Sequence, residues 1–152
     1  MDRKNIKNSK LTSSEQFKNT SIKSQNLASP IRILVVEENL VVRHALQEML
    51  TKLGYLADFA SDGKTALALY QSHYNLILMD IGLPDFDGIA VTKTIRSIER
   101  DKKVPIVAIT SHRDLSYRQK CLMAGMDGYS PKPNQWQLKA LIEQYVERTT
   151  IH

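Results

Sequence analysis

IRILVV, residues 31–36, decides the fold: apart from Arg32 it is a continuous, mostly branched apolar run, the pattern of a β-strand buried on both faces. The segment after it has a different period. Leu40 to Leu53 puts Val42, Leu46, Met49, Leu50 and Leu53 on one helical stripe, with Gly54 as the stop signal. This alternation repeats down the chain. YLADFA (55–60) predicts a second strand, and Ser61 and Asp62 can cap a helix to about Ser72 with Ala66, Leu67 and Leu69 or Tyr70 facing inward. NLILMD (75–80) predicts a third strand, Gly82 and Pro84 a loop, and Asp87 the cap of a helix to about Arg100 carrying Ile89, Val91, Ile95 and Ile98. PIVAIT (105–110) reads as a fourth strand and Leu115 to Ala124 as a helix stopped by Gly125. Residues 128–131 read as a short fifth strand, and Asn134 opens a last helix with Leu138, Leu141, Ile142 and Tyr145 on one face. Strands and helices in strict alternation imply a parallel sheet covered on both faces.

The chain has 152 residues, enough for one domain with a real core and an extension. Its net charge of +5 suggests nucleic acid until it is located: residues 1–29 hold six basic and two acidic side chains, a balance of +4. The remaining +1 is spread over fifteen basic and fourteen acidic residues from 30 to 152, which argues against nucleic acid as a partner. The first 29 residues, rich in Ser, Asn and Lys, read as a disordered basic tail or linker, and residues 149–152 as a short C-terminal tail. The single cysteine, Cys121, fits a core position and a reducing cytoplasm, and no apolar run reaches the ~20 residues that a membrane span needs. A cytoplasmic protein is expected.

In open α/β sheets the ligand crevice lies at the carboxyl ends of the strands. The first strand ends on Glu37 and Glu38, the third on Asp80, the fourth on Thr110 and Ser111, and the fifth runs out toward Lys132. Converging carboxylates raise one another's pKa unless a cation neutralises them. Hard oxygen donors in a partly hydrated loop site suit Mg²⁺ or Mn²⁺, and a cation beside a carboxylate, a hydroxyl and an ammonium can handle a phosphoryl group. Asp85 and Asp87 read instead as a turn residue and a helix cap. His44, His73, His112 and His152 have no metal-ligand spacing, and Trp136 reads as a packing or partner-contact residue.

VVEEN (35–39), LMDIGLPDFDG (78–88), PIVAIT (105–110) and MDGYSPKP (126–133) resemble, in order and spacing, the motifs of response-regulator receiver domains of two-component signalling, most closely those serving hybrid sensor histidine kinases. The resemblance covers about residues 30–148. It implies a flavodoxin-like doubly wound (βα)5 three-layer sandwich with strand order 2-1-3-4-5. It also implies that Asp80 accepts a phosphoryl group from a phosphohistidine. Glu37, Glu38, Asp80 and the backbone carbonyl of Gly82 match the Mg²⁺ ligands, Thr110 and Lys132 the groups that gather phosphoryl oxygens, and Thr110 with Tyr129 the switch pair. The Lys132–Pro133 bond is similar to the family's cis peptide. Expected partners are a histidine kinase or histidine phosphotransfer protein and a downstream protein, with homodimerisation compatible. On this reading the domain is a phosphoacceptor assisting its own phosphorylation and dephosphorylation, not an enzyme with a separate substrate.

Three departures bear on the match. Glu38 stands where Asp is usual and carries an extra methylene, Pro131 removes a backbone donor from the fifth strand, and Gly82 and His112 occupy positions that tune phosphoryl lifetime. Two other readings use the same residues. A haloacid-dehalogenase-like phosphatase needs a second aspartate where Gly82 stands. A pseudo-receiver, binding partners without phosphorylation, is compatible with Glu38.

Overall fold

Alternating apolar period translates directly into alternating elements in the computed structural model, which describes residues 30–70, 73–81, 88–100, 102–110 and 115–150. They are β1 (Arg32–Val36), α1 (Leu40–Leu53), β2 (Leu56–Ala60), α2 (Gly63–Leu69), β3 (Leu76–Met79), α3 (Gly88–Ile98), β4 (Ile106–Thr110), α4 (Leu115–Ala124), β5 (Gly128–Pro131) and α5 (Gln135–Thr150). The strands form one parallel sheet in the order β2-β1-β3-β4-β5, the expected topology. The expected tail at 1–29, the Gly82–Asp87 loop, Ser111 and His112, and the last two residues of the chain lie outside the described residues.

Successive strand side chains point to opposite faces, so each strand feeds two cores. Leu34, Val36, Ile77, Met79, Ile106 and Ala108 face Ala66 of α2, Val91 and Ile95 of α3 and Cys121 of α4. Ile33, Val35, Leu76, Leu78, Val107 and Ile109 face Leu46 and Leu50 of α1 and Leu138, Ile142 and Val146 of α5. β1, β3 and β4 are therefore covered on both sides, which is why, Arg32 and Thr110 at their ends aside, they read as apolar runs. Each Val, Leu, Ile or Met among them contributes about 1.5–3 kcal/mol by leaving water.

Local signals set the helix ends. Asn39 Oδ1 accepts from the N–H groups of Val41 and Val42, Asp62 Oδ1 from that of Thr65, and Gly54 closes α1 at φ 84°. Two expectations shift. α2 stops at Leu69, with Tyr70 as its C-cap, rather than running to Ser72. In α3, Ile98 is exposed while Thr92 is buried, its hydroxyl donating to the Gly88 carbonyl at 2.8 Å, so the inward face follows Val91, Thr92 and Ile95. β5 is a four-residue edge strand, and Pro131 occupies its last position, opposite Thr110, where the end of an edge strand can go without a ladder donor. No helix among the described residues is long and apolar enough to cross a membrane.

Candidate functional site

Parallel pairing in register brings the strand ends together. Val36 pairs with Met79, and the next residues, Glu37 and Asp80, leave β1 and β3 side by side, Asp80 N–H donating to Val36 O at 2.9 Å and Glu37 N–H to Ala60 O at 2.9 Å. Glu37 is fully buried, Asp80 is 9% exposed, and Thr110, ending β4, is buried at 1%. Lys132 follows β5 and reaches back across the sheet end to place Nζ 3.1 Å from Glu37 Oε1. These four residues come from four strands, and the fold brings them to the same carboxyl edge.

Burial holds the Glu37 carboxyl above its ordinary value of 4.5, and a hydrogen bond and like charge from Asp80 add to that, while the Asn39 N–H and Lys132 pull it down. Asn39 N–H reaches Glu37 Oε2 at 3.3 Å. Oε1 has the Lys132 ammonium nearby but no aligned hydrogen-bond donor, so a buried carboxylate oxygen is left incompletely satisfied. A hard cation bound by oxygen would complete it, and the Glu37–Asp80 carboxylates are the donors such an ion takes. Glu38, the next residue, is exposed at the rim, and among the described residues no three His, Cys, Asp or Glu side chains gather in metal-holding geometry. Gly82, the expected backbone ligand, is outside the described residues.

Tyr129 on β5 is half-buried and packs against the core on the α2–α4 face. The Lys132–Pro133 bond is trans, not cis as the resemblance implied; X–Pro bonds favour trans by about 0.5–1 kcal/mol. Lys132 and Pro133 also wall an apolar groove of about 210 Å³ with Val42, Ala45 and Met49 of α1 and Ile109 of β4. Val41, at the start of α1, also lines the groove and is exposed, as is Leu40 before it.

Two site residues escape a strand-end reading. Gly88 opens α3 so close to the chain behind Asp80 that a Cβ there would lie 2.5 Å from Asp80 O and 2.8 Å from Met79 Cγ. Its N–H donates to Ile81 O at 3.1 Å, which ties the helix start to the residue after Asp80. A glycine directly after Asp87, the aspartate expected from sequence to cap the helix, was the available signal. Arg43 is the other: Nη1 donates to the backbone carbonyls of Glu37 at 3.1 Å and Glu38 at 2.9 Å. Nothing in its position on an amphipathic helix announces that contact.

Known proteins resemble this chain in sequence and fold. The response regulator receiver domain family matches residues 33–143. The chain is 38% identical over 104 residues to the transcriptional regulatory protein QseB of Haemophilus influenzae, covering 68% of this chain and 46% of that one. It is 32% identical over 148 residues to a probable histidine kinase 1 of Oryza sativa subsp. indica, covering 76% of this chain and 15% of that one. The chain thus spans less than half the length of either relative. Among solved structures it resembles the receiver domain of sensor histidine kinase PA1611 from Pseudomonas aeruginosa, with a magnesium ion in its active site cleft, at TM-score 0.72 and 35% identity over 78% of this chain and 99% of that one. It also resembles the receiver domain of Ssk1 in complex with the histidine phosphotransfer protein Ypd1 of Saccharomyces cerevisiae, at TM-score 0.74 and 28% identity, over 80% of this chain and 92% of the other.

Proposed function

Because the chain belongs to the response regulator receiver domain family, we propose that it works in a two-component phosphorelay, taking a phosphoryl group onto Asp80 and changing its partner binding in response. The observation that carries this reading is the buried Glu37–Asp80 carboxylate pair at the sheet edge, with Lys132 3.1 Å from a Glu37 oxygen that has no aligned donor. An Asp80 carboxylate oxygen attacks the phosphorus of a phosphohistidine. A P–O bond forms, the N–P bond breaks, and its electron pair returns to the imidazole nitrogen, which takes up a proton. Positioning and charge neutralisation supply most of the catalysis for such a transfer.

A divalent cation, Mg²⁺ or Mn²⁺, neutralises charge on the carboxylates and phosphoryl oxygens when bound. Glu37 and Asp80 would hold it, with Glu38 and the Gly82 carbonyl completing the set. Lys132 would trade its contact with Glu37 for a phosphoryl oxygen, and the Thr110 hydroxyl would donate to another. Movement of Thr110 toward the phosphoryl group would free space for Tyr129 to turn inward, biasing two arrangements of β5 and its neighbouring helices. The chain would assist its own phosphorylation and dephosphorylation without a separate substrate.

The donor is a histidine kinase or a histidine phosphotransfer protein, in the cytoplasm, and the output passes to a protein partner. A donor helix delivering a phosphohistidine to Asp80 has an apolar footing at hand in Leu40, Val41 and the α1–Pro133 groove, which shares Lys132 with the site.

Incubation with acetyl phosphate and Mg²⁺, followed by intact mass, tests the reading. Wild type should gain one phosphoryl group, and chelator or Asp80→Asn should abolish the gain. Absence of an adduct, together with no response to beryllofluoride, would overturn phosphorylation and leave a binding module; steady turnover of phosphomonoesters would favour a hydrolase.

A further inference from the structure

We infer that Arg43 is a positioning residue for the acidic turn after β1, holding the backbone of Glu37 and Glu38 so that their carboxylates are presented to a cation; this rests on the cation-assisted reading above. The geometry is specific. Arg43 lies one helical turn beyond the cap, its own N–H donating to Asn39 O at 2.9 Å. Its guanidinium turns back over that cap, and Nη1, which carries two hydrogens, reaches the Glu37 carbonyl at 3.1 Å and the Glu38 carbonyl at 2.9 Å. Two consecutive peptide planes are thereby fixed from outside the turn.

What Arg43 leaves alone is equally informative. A guanidinium beside two glutamates would ordinarily form a bidentate pair with a carboxylate. Among the described residues its contacts go to backbone oxygens, and Glu37's ion-pair partner is Lys132 instead. The guanidinium therefore occupies neither carboxylate, while the chain that carries them is held. Asn39 contributes from the other side of the same turn, its N–H on Glu37 Oε2 and its side chain on the Val41 and Val42 amides. The supporting shell of a metal site commonly governs affinity in this way.

Mn²⁺ titration followed by the paramagnetic resonance of the free ion separates the alternatives, with thermal unfolding run in parallel on the metal-free proteins. Arg43→Ala should weaken Mn²⁺ binding about tenfold, and Arg43→Lys, which keeps the charge but reaches the carbonyls less well, should fall between. Were Arg43 only a positive charge at the rim, Arg43→Ala would bind Mn²⁺ more tightly; were it only a helix residue, unfolding would shift with affinity unchanged. Either result overturns the role. If wild type itself binds no Mn²⁺, the cation reading falls, and amide hydrogen exchange at Asn39 decides the positioning. Faster exchange in Arg43→Ala supports it, and an unchanged rate overturns it.

Discussion

The two ends of the sheet treat their carboxylates in opposite ways, half-buried at one end and buried at the other. Where β4 and β5 begin, Arg96 on α3 donates from Nε to Gly125 O at 2.8 Å and pairs through Nη1 with Glu99 at 2.8 Å and through Nη2 with Asp127 at 2.9 Å. The remaining valences of those carboxylates are also filled: Glu99 Oε2 accepts from Val104 N–H at 2.6 Å, Asp127 Oδ2 from Ile106 N–H at 2.9 Å, and Asp127 Oδ1 faces Lys103 at 3.3 Å. Where the strands end, Glu37 has a long bond from Asn39, an unaligned ammonium and another carboxylate beside it. Paired and hydrogen-bonded charges hold a fold together, whereas carboxylates facing each other keep an unmet demand for a cation. The first end is a clamp tying α3 to the α4–β5 turn and the second is the candidate site.

The contrast can be broken most forcefully at the clamp. Arg96→Ala leaves Glu99, Asp127 and the Gly125 carbonyl without their shared donor and should cost about 3 kcal/mol in urea unfolding. Phosphoryl uptake by the folded fraction should be little changed; an unaltered midpoint would mean that the clamp holds nothing. Gly88→Ala acts at the other end, pushing a methyl against Asp80 O and Met79. It should cost about 2 kcal/mol through overpacking and slow phosphoryl uptake from acetyl phosphate. Normal uptake kinetics in that variant would show that the α3 start does not position Asp80.

The smallest effect sharpens the comparison through pH. Because the folded-state pKa of Glu37 is raised, the folded chain holds that proton more tightly than the unfolded one. The stability it contributes is fully present below the unfolded-state value and is lost as pH rises through the raised one. With chelator present, Glu37→Gln should therefore be more stable than wild type at neutral pH, the margin shrinking on acidification. Mg²⁺ should raise the urea midpoint of wild type and leave the variant nearly unmoved. A variant that is less stable than wild type at neutral pH would show that Lys132 already satisfies the carboxylate.

Much of this is legible in the chain before it folds. Strands covered on both faces must be apolar throughout, so β1, β3 and β4 stand out, and the residue just beyond the last apolar position of each must face the crevice edge; that reasoning reaches Glu37, Asp80 and Thr110, and the short run of β5 toward the same edge adds Lys132. The helix stops at Gly54 and Gly125 and the Asp62 cap are equally local. The buried side of α3 was less legible, because Thr92 can be buried only by satisfying its hydroxyl on its own helix while Ile98 runs past the sheet. Arg96 was invisible for a different reason: its partners Gly125 and Asp127 lie 29 and 31 residues away in the chain.

The sequence by itself determined the order and kind of elements and the residues at the strand ends, because hydrophobic period and caps act within one or two turns of the chain. Only the tertiary structure decided that Glu37 is buried against Asp80 while Glu38 stands exposed, that Arg43 directs its donors to two carbonyls, and that α3 can approach Asp80 only through Gly88. Those outcomes depend on which backbone groups the sheet register brings within about 3 Å of one another, a distance that hydrogen bonding and packing resolve and that a one-dimensional pattern does not contain.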